Sequence, residues 1–144
     1  MADYTGPLPV PSPESKPFWD ALRRHQLELP FCRPCGAFFY YPRAACPGCL
    51  SADLEWKPVS GRGTVHTFTV VSRGQRGFPL GPPYVLAIVE LAEGPRMMTN
   101  LVGIAPDPAV VRIGMPVEVT FLDATPEHTL PHFRPAGRPA GSGA

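Results

Sequence analysis

The amino-acid sequence predicts a mainly β protein in three consecutive parts: an N-terminal helix, a small cysteine-rich module and a β-barrel. Three observations carry this prediction. Apolar residues recur with helical spacing between residues 17 and 27, all four cysteines fall between residues 32 and 49, and β-branched segments dominate from residue 64 onward. Because helices repeat every 3.6 residues and strands every two, these patterns separate the parts.

An extended arm precedes the helix. Prolines alternate with other residues from Pro7 to Pro13, which predicts an extended, proline-rich backbone over residues 1–11. Ser12 or Ser15 suits the N-cap of the helix, and a proline at position 13 or 17 suits its first turn. We therefore place residues 1–27 together as arm and helix.

The helix, predicted over residues 17–27, has an apolar stripe that ends at His25. Phe18 belongs to this stripe, and Trp19 lies beside it. A short helix needs tertiary packing to be stable, so both aromatic side chains should be in contact with something. They either pack on the core of the chain or dock on a partner.

Two Cys-x-x-Cys pairs form the centre of the second part. Cys32 and Cys35 make the first pair, Cys46 and Cys49 make the second, and the chain has four cysteines in all. Each pair puts two thiolates on one tight turn, and two facing turns supply the four ligands of a tetrahedral metal site. The spacing predicts a rubredoxin-like zinc ribbon over residues 28–59. Four ligands fill the coordination sphere, so Zn²⁺ would be structural.

The same cysteines leave other uses open. Two disulfides or four unrelated buried thiols would use them too, although paired spacing with no cysteine left over favours a metal. Iron accepts the same four thiolates, so spacing does not separate it from zinc. Metal-type cysteine usage fits a reducing compartment, and the sequence shows no long apolar run and no signal peptide. We therefore expect a cytoplasmic protein without membrane attachment.

Four consecutive aromatic residues, Phe38 to Tyr41, follow the first cysteine pair. Residues 37–42 are predicted as the strand that leaves this pair, and residues 54–58 as the strand that returns. Alternate side chains of a strand face opposite sides, so the four aromatic side chains cannot all point inward. Some of them should contact another part of the chain or a partner.

In the third part, residues 60–135, the sequence predicts five strands separated by turns rich in glycine and proline. The longest of these connections is a loop over residues 73–83. The second strand is apolar enough to be buried on both faces for most of its length. Residues 107–111 suit one helical turn between the third and fourth strands. This order is typical of a partly open OB-fold barrel. The predicted strands are 64–71, 84–91, 96–102, 117–122 and 129–133, and a disordered tail follows at 136–144.

Composition and motifs limit the classes of function that the chain can have. The net charge is only +1, whereas OB-folds that bind single-stranded nucleic acid combine aromatic stacking with a positive groove. Nucleic-acid binding is therefore the weaker hypothesis. No Gly-x-Ser-x-Gly elbow or glycine-rich nucleotide loop occurs, and the cysteines are assigned to metal. Consequently we assign no catalytic residue to this chain.

A series of short motifs extends from the helix to the last strand. Together they join the metal ligands to turn and strand-end residues of the barrel. They are Pro17-Phe18-Trp19, Cys32-x-x-Cys35-Gly36, Tyr41-Pro42-Arg43, Cys46-Pro47-x-Cys49, Ser60-Gly61-Arg62-Gly63-Thr64-Val65, Pro82-Pro83-Tyr84, Glu90-Leu91-x-Glu93-Gly94, Gly114-Met115-Pro116-Val117 and Leu130-Pro131-His132-Phe133-Arg134-Pro135.

In this order the motifs resemble the zinc-ribbon/OB-fold proteins once called "domain of unknown function 35", described as acyl-CoA-associated. The resemblance covers about residues 13–135. It implies a small companion subunit of a thiolase-fold enzyme that makes or breaks carbon–carbon bonds of acyl-CoA thioesters. Examples of such reactions are retro-aldol cleavage of a steroid side chain and acyl transfer. The catalytic residues would lie in the partner, and the companion would support it and shape the passage for the CoA arm or acyl group.

Aromatic residues and one arginine are the candidates for contact with the thiolase-fold partner or with acyl-CoA. For each of them the alternative is packing between ribbon and barrel, since buried aromatic side chains dominate cores as well as interfaces. Two other functions stay open, a single-stranded nucleic-acid-binding module and a freestanding acyl-CoA carrier. The contact candidates are Phe18, Trp19, Tyr40, Tyr41, Phe133 and Arg134.

Overall fold

A computed structural model describes residues 4–74, 78 and 80–136 of the chain. The predicted tail, apart from Ala136, and part of the predicted loop 73–83 lie outside these residues. The described chain forms one helix and eight strands: α1 (Lys16–Arg23), β1 (Glu28–Cys32), β2 (Ala37–Phe38), β3 (Leu54–Pro58), β4 (Arg62–Val71), β5 (Tyr84–Leu91), β6 (Arg96–Leu101), β7 (Pro116–Thr125) and β8 (His128–Pro135). No helix among them is long and apolar enough to cross a membrane.

Helix α1 begins where the sequence placed its start. Ser15 is the N-cap residue and Pro17 lies in the first turn, where its missing N–H costs no hydrogen bond. The Ser15 hydroxyl does not cap the helix but exchanges hydrogen bonds with Ser12, and Ser15 is almost fully buried. The inner face of the helix is buried through Phe18, Ala21 and Leu22.

The predicted end of the helix at residue 27 is wrong, because the chain leaves the helix four residues earlier. His25 has a φ of 56°, in the left-handed region. The backbone N–H of Gln26 then donates to the carbonyl of Ala21 at 3.0 Å, which closes the last turn. A left-handed residue just past the last turn is a common helix stop. His25 consequently leaves the apolar stripe, and half of its side chain is exposed.

The ribbon is a three-stranded antiparallel sheet with β1 between β2 and β3. The predicted strand over residues 37–42 is wrong beyond Phe38. Phe39 is buried with two cysteine side chains, whereas the rings of Tyr40 and Tyr41 turn towards helix α1. Three successive side chains that enter different surroundings cannot follow the alternation of a strand.

The five remaining strands form a closed barrel in the order β4-β5-β6-β8-β7. All five predicted barrel strands are present, and the expectation of a partly open barrel is wrong. Strands β6 and β8 meet in parallel where Leu101 pairs with Phe133, and β4 meets β7 where Gly63 pairs with Val117. These two contacts complete the ring of hydrogen-bonded neighbours.

Strand β5 alternates between buried and partly exposed residues along its whole length. The prediction that it is buried on both faces is wrong, because a closed barrel has a single interior. Its outward residues include Leu86 and Ile88, which are aliphatic and gave the sequence its continuous apolar run. One hydrogen-bonded turn at residues 107–111, closed by the Val111 N–H on the Asp107 carbonyl, links β6 to β7.

One apolar core joins the helix, the ribbon and the barrel. Phe18 and Leu22 of α1 and Leu29 of β1 belong to the same buried cluster as Val65 and Phe133 of the barrel. The ribbon adds only a small second cluster around its cysteines. The helix and the first ribbon strand are therefore packed on the barrel.

Candidate metal centre and partner-facing surface

The four cysteines lie on two turns that face each other. Cys32 ends strand β1, and the N–H of Gly36 donates to its carbonyl at 2.8 Å. In the second turn, Leu50 donates in the same way to the carbonyl of Cys46, also at 2.8 Å. Gly36 has a φ of 66°, in the left-handed region that glycine adopts without steric cost because it has no Cβ. This conformation explains the glycine directly after the first cysteine pair.

The sulfur positions fit a tetrahedral metal site. All four Sγ atoms lie within 4.8 Å of one another, and the Sγ atoms of Cys32–Cys49 and Cys35–Cys46 are 3.5 and 3.9 Å apart. Zinc–sulfur bonds of about 2.3 Å place tetrahedral ligands about 3.8 Å apart. A disulfide needs about 2.05 Å, and the four cysteines are free. The donor set therefore fits zinc and excludes two disulfides in this structure.

Backbone hydrogen bonds support the sulfur atoms. The Cys35 N–H points to Cys32 Sγ at 3.4 Å, and the Gly48 N–H to Cys46 Sγ at 3.3 Å. Backbone N–H groups of Cys49 and Gly48 lower the pKa of the Cys46 thiol to about 7. Zinc binds the deprotonated form, so these N–H groups stabilise the charge that the ligand must carry.

The outer surface of the site is tied to strand β3. The Arg33 guanidinium makes ion pairs with the carboxylates of Asp53 and Glu55, and the backbone N–H of Arg33 donates to the backbone carbonyl of Asp53 at 3.2 Å. Behind the sulfur atoms, Phe39 and Leu54 cover the cluster. A metal bound here would cross-link the end of β1 to the loop before β3. With four protein ligands it would stabilise the fold and leave no open coordination position.

A second feature is an aromatic patch, defined as Trp19, Tyr40 and Tyr41, which surrounds Phe18. The ring of Phe18 lies 5.0 Å from that of Trp19 and 5.8 Å from that of Tyr40 in edge-on arrangements. Tyr41 remains 39% exposed. The Trp19 indole Nε1 is buried and has no hydrogen-bond partner among the described residues. Buried indole groups usually find an acceptor, so this unpaired donor requires an explanation.

The six contact candidates fall into two groups. Phe18 and Phe133 are fully buried in the core, so their side chains reach no partner in this conformation and the packing alternative accounts for both. Arg134 is exposed, and its Nε donates to Glu118 at 3.0 Å. Contact with a partner stays a prediction for Arg134 and for the three members of the aromatic patch.

Sequence reasoning missed a bridge between the helix and the barrel. The His25 Nε2 lies 2.8 and 3.0 Å from the two carboxylate oxygens of Asp123, and the ring stacks on Phe121 at 5.0 Å. The Thr129 hydroxyl donates to the same carboxylate at 2.8 Å. These two hydrogen bonds, that of His25 first, lower the pKa of Asp123. No local motif could reveal a contact across 98 residues of sequence.

The outer face of β5 and β6 is aliphatic. This is the face that OB-folds use for oligonucleotides, and here it presents Leu86, Ile88 and Met98. At its end Arg96 lies 3.6 Å from the carboxylate of Glu90, so its charge is compensated. Tyr84 at the start of β5 packs on Phe78, with the ring centroids 4.7 Å apart. The described residues of this face therefore offer an aromatic contact but no unpaired cation, and the positive groove that single strands require is missing among them.

The fold and the cysteine cluster together define a zinc-ribbon/OB-fold protein. Two family descriptions match the chain in succession: "ChsH2, rubredoxin-like zinc ribbon domain" over residues 19–55 and "ChsH2, C-terminal OB-fold domain" over residues 56–122. A solved chain of the "Ltp2-ChsH2(DUF35) aldolase" superposes with a TM-score of 0.78 at 40% identity, covering 89% of this chain and 98% of that one. The chain belongs to the DUF35 family.

Some of the curated relatives carry enzyme-subunit names. The "Probable enoyl-CoA hydratase alpha subunit" of Thermomonospora curvata is 43% identical over 121 residues, which are 83% of this chain and 37% of that protein. The "Benzoylsuccinyl-CoA thiolase subunit BbsA" of Geobacter metallireducens is 36% identical over 72 residues, 50% of this chain and 47% of that one. The chain thus spans little more than a third of the hydratase subunit and about half of the thiolase subunit.

Proposed function

We propose that this chain is an auxiliary zinc-binding subunit of a thiolase-fold enzyme that cleaves or forms carbon–carbon bonds of acyl-CoA thioesters. Retro-aldol cleavage, for example of a steroid side chain, is the first reaction to test, and acyl transfer is the second. The observation that carries the proposal is the likeness to the matched chain of the Ltp2-ChsH2(DUF35) aldolase, which extends over 98% of that chain.

The chemistry of the chain suits a supporting role. Its four thiols are grouped as a closed ligand set, which leaves no free thiolate nucleophile among them. His25 is engaged with Asp123, and His128 with the hydroxyl of Thr125. We infer that the partner supplies the groups that act on the thioester. Free cysteines and acyl-CoA chemistry both suit the cytoplasm, where we propose that the complex works.

The aromatic patch is the proposed docking surface for the partner. Tryptophan and tyrosine dominate the energetics of protein interfaces, because they bury large areas and still offer a polar group. Here the Trp19 Nε1 lacks an acceptor within the described chain, and Tyr41 is exposed beside it. The partly exposed faces of Trp19 and Tyr41 would make the contact with the partner. The ribbon and helix would then hold the patch rigidly through the shared core.

Co-purification tests the proposal. The tagged chain, expressed in its native host, should recover a thiolase-fold protein in near-stoichiometric amount, and the purified complex should turn over an acyl-CoA thioester. Recovery of a monomer without such a partner would contradict the proposal. Saturable binding of acyl-CoA by that monomer would favour a freestanding carrier, and salt-sensitive binding of single strands would favour the nucleic-acid alternative.

The docking surface has a separate test. Trp19→Ala should weaken the complex about 30-fold or more, because truncation of an interface tryptophan typically costs about 2 kcal/mol or more. Met98→Ala is the matched control, since Met98 is exposed and apolar but lies on the outer barrel face. Equal affinity of the Trp19→Ala variant and the unaltered chain, with both folded, would place the interface elsewhere.

A further inference from the structure

The four cysteines of the metal site differ in their access to solvent. Cys32 and Cys46, the first members of the two pairs, are buried and pack with Phe39. Cys35 and Cys49, the second members, are exposed. A small oxidant dissolved in water therefore reaches one sulfur atom of each turn before it reaches the other.

The surroundings of the two exposed cysteines leave their turns uncovered. Gly36 directly follows Cys35, and Gly48 directly precedes Cys49, so neither neighbour has a side chain that could shield the sulfur atom. A Cβ atom added at Gly36 would meet no described atom within 4 Å apart from its chain neighbours. In the second turn the following residue, Leu50, is itself 78% exposed. Both cysteines therefore lie on open parts of the surface.

Backbone hydrogen bonds separate the same two sulfur atoms from the buried ones. The Sγ atoms of Cys32 and Cys46 each accept from a backbone N–H, at 3.4 and 3.3 Å. No backbone N–H of the described residues makes such a bond to the Sγ of Cys35 or Cys49. In a zinc-bound site all four sulfur atoms are thiolates, so their reactivity depends on access and nucleophilicity. An N–H donor stabilises the negative charge of a thiolate and thereby lowers its nucleophilicity.

We propose that Cys35 and Cys49 are the site at which a peroxide modifies this protein, and that the oxidation joins the two turns by a disulfide and releases the metal. The exposed thiolate attacks one peroxide oxygen, the O–O bond breaks, and hydroxide leaves a sulfenic acid on the sulfur. A second thiolate then attacks this sulfur, the S–O bond breaks, and a second hydroxide leaves. The two sulfur atoms together lose the two electrons that the peroxide gains.

The second thiolate is available on the opposite turn. The Sγ atom of Cys49 lies 3.5 Å from that of Cys32, and the Sγ atom of Cys35 lies 3.9 Å from that of Cys46. In each contact an exposed cysteine of one turn meets a buried cysteine of the other, which predicts a disulfide between the turns. Such a bond removes two of the four thiolate ligands, and the two that remain do not complete a tetrahedral site. A thiol reductant added together with zinc should restore the site.

Labelling of the full zinc-loaded chain tests the proposal. Hydrogen peroxide is added stepwise, a colorimetric indicator measures free zinc, and dimedone traps sulfenic acids for tandem mass spectrometry. We expect about one zinc released per peroxide consumed, and about fivefold more dimedone on Cys35 and Cys49 than on Cys32 and Cys46. Equal labelling of the four cysteines, or zinc retained after the peroxide is consumed, would overturn the proposal.

Peptide mapping without dimedone tests the disulfide. Arg43 lies between the two turns, so cleavage by trypsin after this residue places the cysteine pairs on separate peptides. A disulfide between the turns joins these peptides, and the joined species should appear in step with zinc release. Disulfides confined to single peptides would overturn the proposed connection. No partner is needed for either readout, so failure here is distinct from failure to co-purify.

Matched variants test whether burial protects the other two cysteines. Phe39→Ala removes the ring that packs on Cys32 and Cys46, and should raise their share of the dimedone label. Phe38→Ala alters the neighbouring aromatic residue, which packs on the main core instead, and should leave the pattern unchanged. Both variants are labelled after their zinc content has been measured. An unchanged pattern in a zinc-loaded Phe39→Ala variant, or equal labelling in the unaltered chain, would overturn the proposal.

Discussion

At the residue scale, the two cysteines of each turn differ in exposure. Cys32 and Cys46 are buried, whereas Cys35 and Cys49 are exposed. The buried members lie with Phe39 in the small ribbon cluster, so they serve both as ligands and as packing groups. A polar substitution at a buried member should therefore affect both metal binding and packing.

We predict that Cys46→Ser releases the metal and unfolds the ribbon. Serine is a poor substitute for a thiolate ligand, and in small ribbons the free energy of metal binding is also the free energy of folding. Zinc content by mass spectrometry should fall from stoichiometric to near zero, with a lower unfolding midpoint. Ala44→Ser, at an exposed position of the same loop, is the control and should keep its zinc. A metal-free Cys46→Ser variant with an intact ribbon would contradict a structural role.

We predict that His132 makes the stability of the protein fall on mild acidification. Burial lowers the pKa of His132, whereas an unfolded histidine has a pKa of about 6.5. The unfolded state therefore binds more protons as the pH drops below about 6.5, which favours unfolding until the folded pKa is passed. His132→Phe should lose less unfolding free energy between about pH 7.5 and about pH 5.5. Identical pH profiles from urea titrations would show that another group is responsible.

At the element scale, strand β4 is where the barrel closes. Gly63 pairs with Leu91 of β5 on one side and with Val117 of β7 on the other. A Cβ at this position would lie 2.9 Å from Val89 Cγ1 and closer still to the carbonyl oxygen of Glu90. The barrel therefore requires a residue without a side chain at this crossing.

Gly63→Ala should accordingly destabilise the barrel by about 1–3 kcal/mol, the usual cost of forcing extra volume into a packed site. Unfolding in urea, followed by tryptophan fluorescence, measures the change. Thr64→Ala, at the neighbouring exposed position, should change the unfolding free energy much less. An unaltered midpoint for Gly63→Ala would mean that the β4–β5 pair shifts without cost.

The order of the elements could be predicted from local chemistry. Cysteine spacing identified the ribbon, and short segments between turns rich in glycine and proline identified all five barrel strands, because each pattern is contained within a few consecutive residues. Barrel closure and the helix end could not be predicted in this way. Closure depends on Leu101 meeting Phe133, and the helix end depends on His25, whose ring is held by Phe121 and Asp123. Both are contacts between residues far apart in the chain.

The candidate site was predictable to a similar extent. The four cysteines are brought together as their spacing indicated. Among the aromatic candidates, sequence could not separate Phe18, which is fully buried, from Tyr41, which is partly exposed. The two rings lie only 6.1 Å apart, so their different burial depends on how the ribbon packs on the helix.

At the scale of the whole molecule, the shared core predicts a single unfolding transition. Phe18→Ala should cost about 3–5 kcal/mol, because it leaves a cavity where helix, ribbon and barrel meet. Zinc release and the loss of barrel signals should then shift together towards lower denaturant. Val10→Ala, at a position that is 92% exposed, is the control. Zinc release that stays at its original midpoint while the barrel unfolds earlier would indicate two independent units.

The closed barrel also limits how another chain can attach. Gly63 and Thr64 of β4 and Leu101 of β6 already pair with strands on both sides, so a partner cannot add a strand at these closing positions by backbone hydrogen bonding. In the described chain the outer strands of a sheet are β2 and β3 of the ribbon, and β2 is only two residues long. Strand addition, whether by a natural partner or during aggregation, would therefore begin at β3 or away from the closing positions of the barrel, and attachment at those positions has to use side chains.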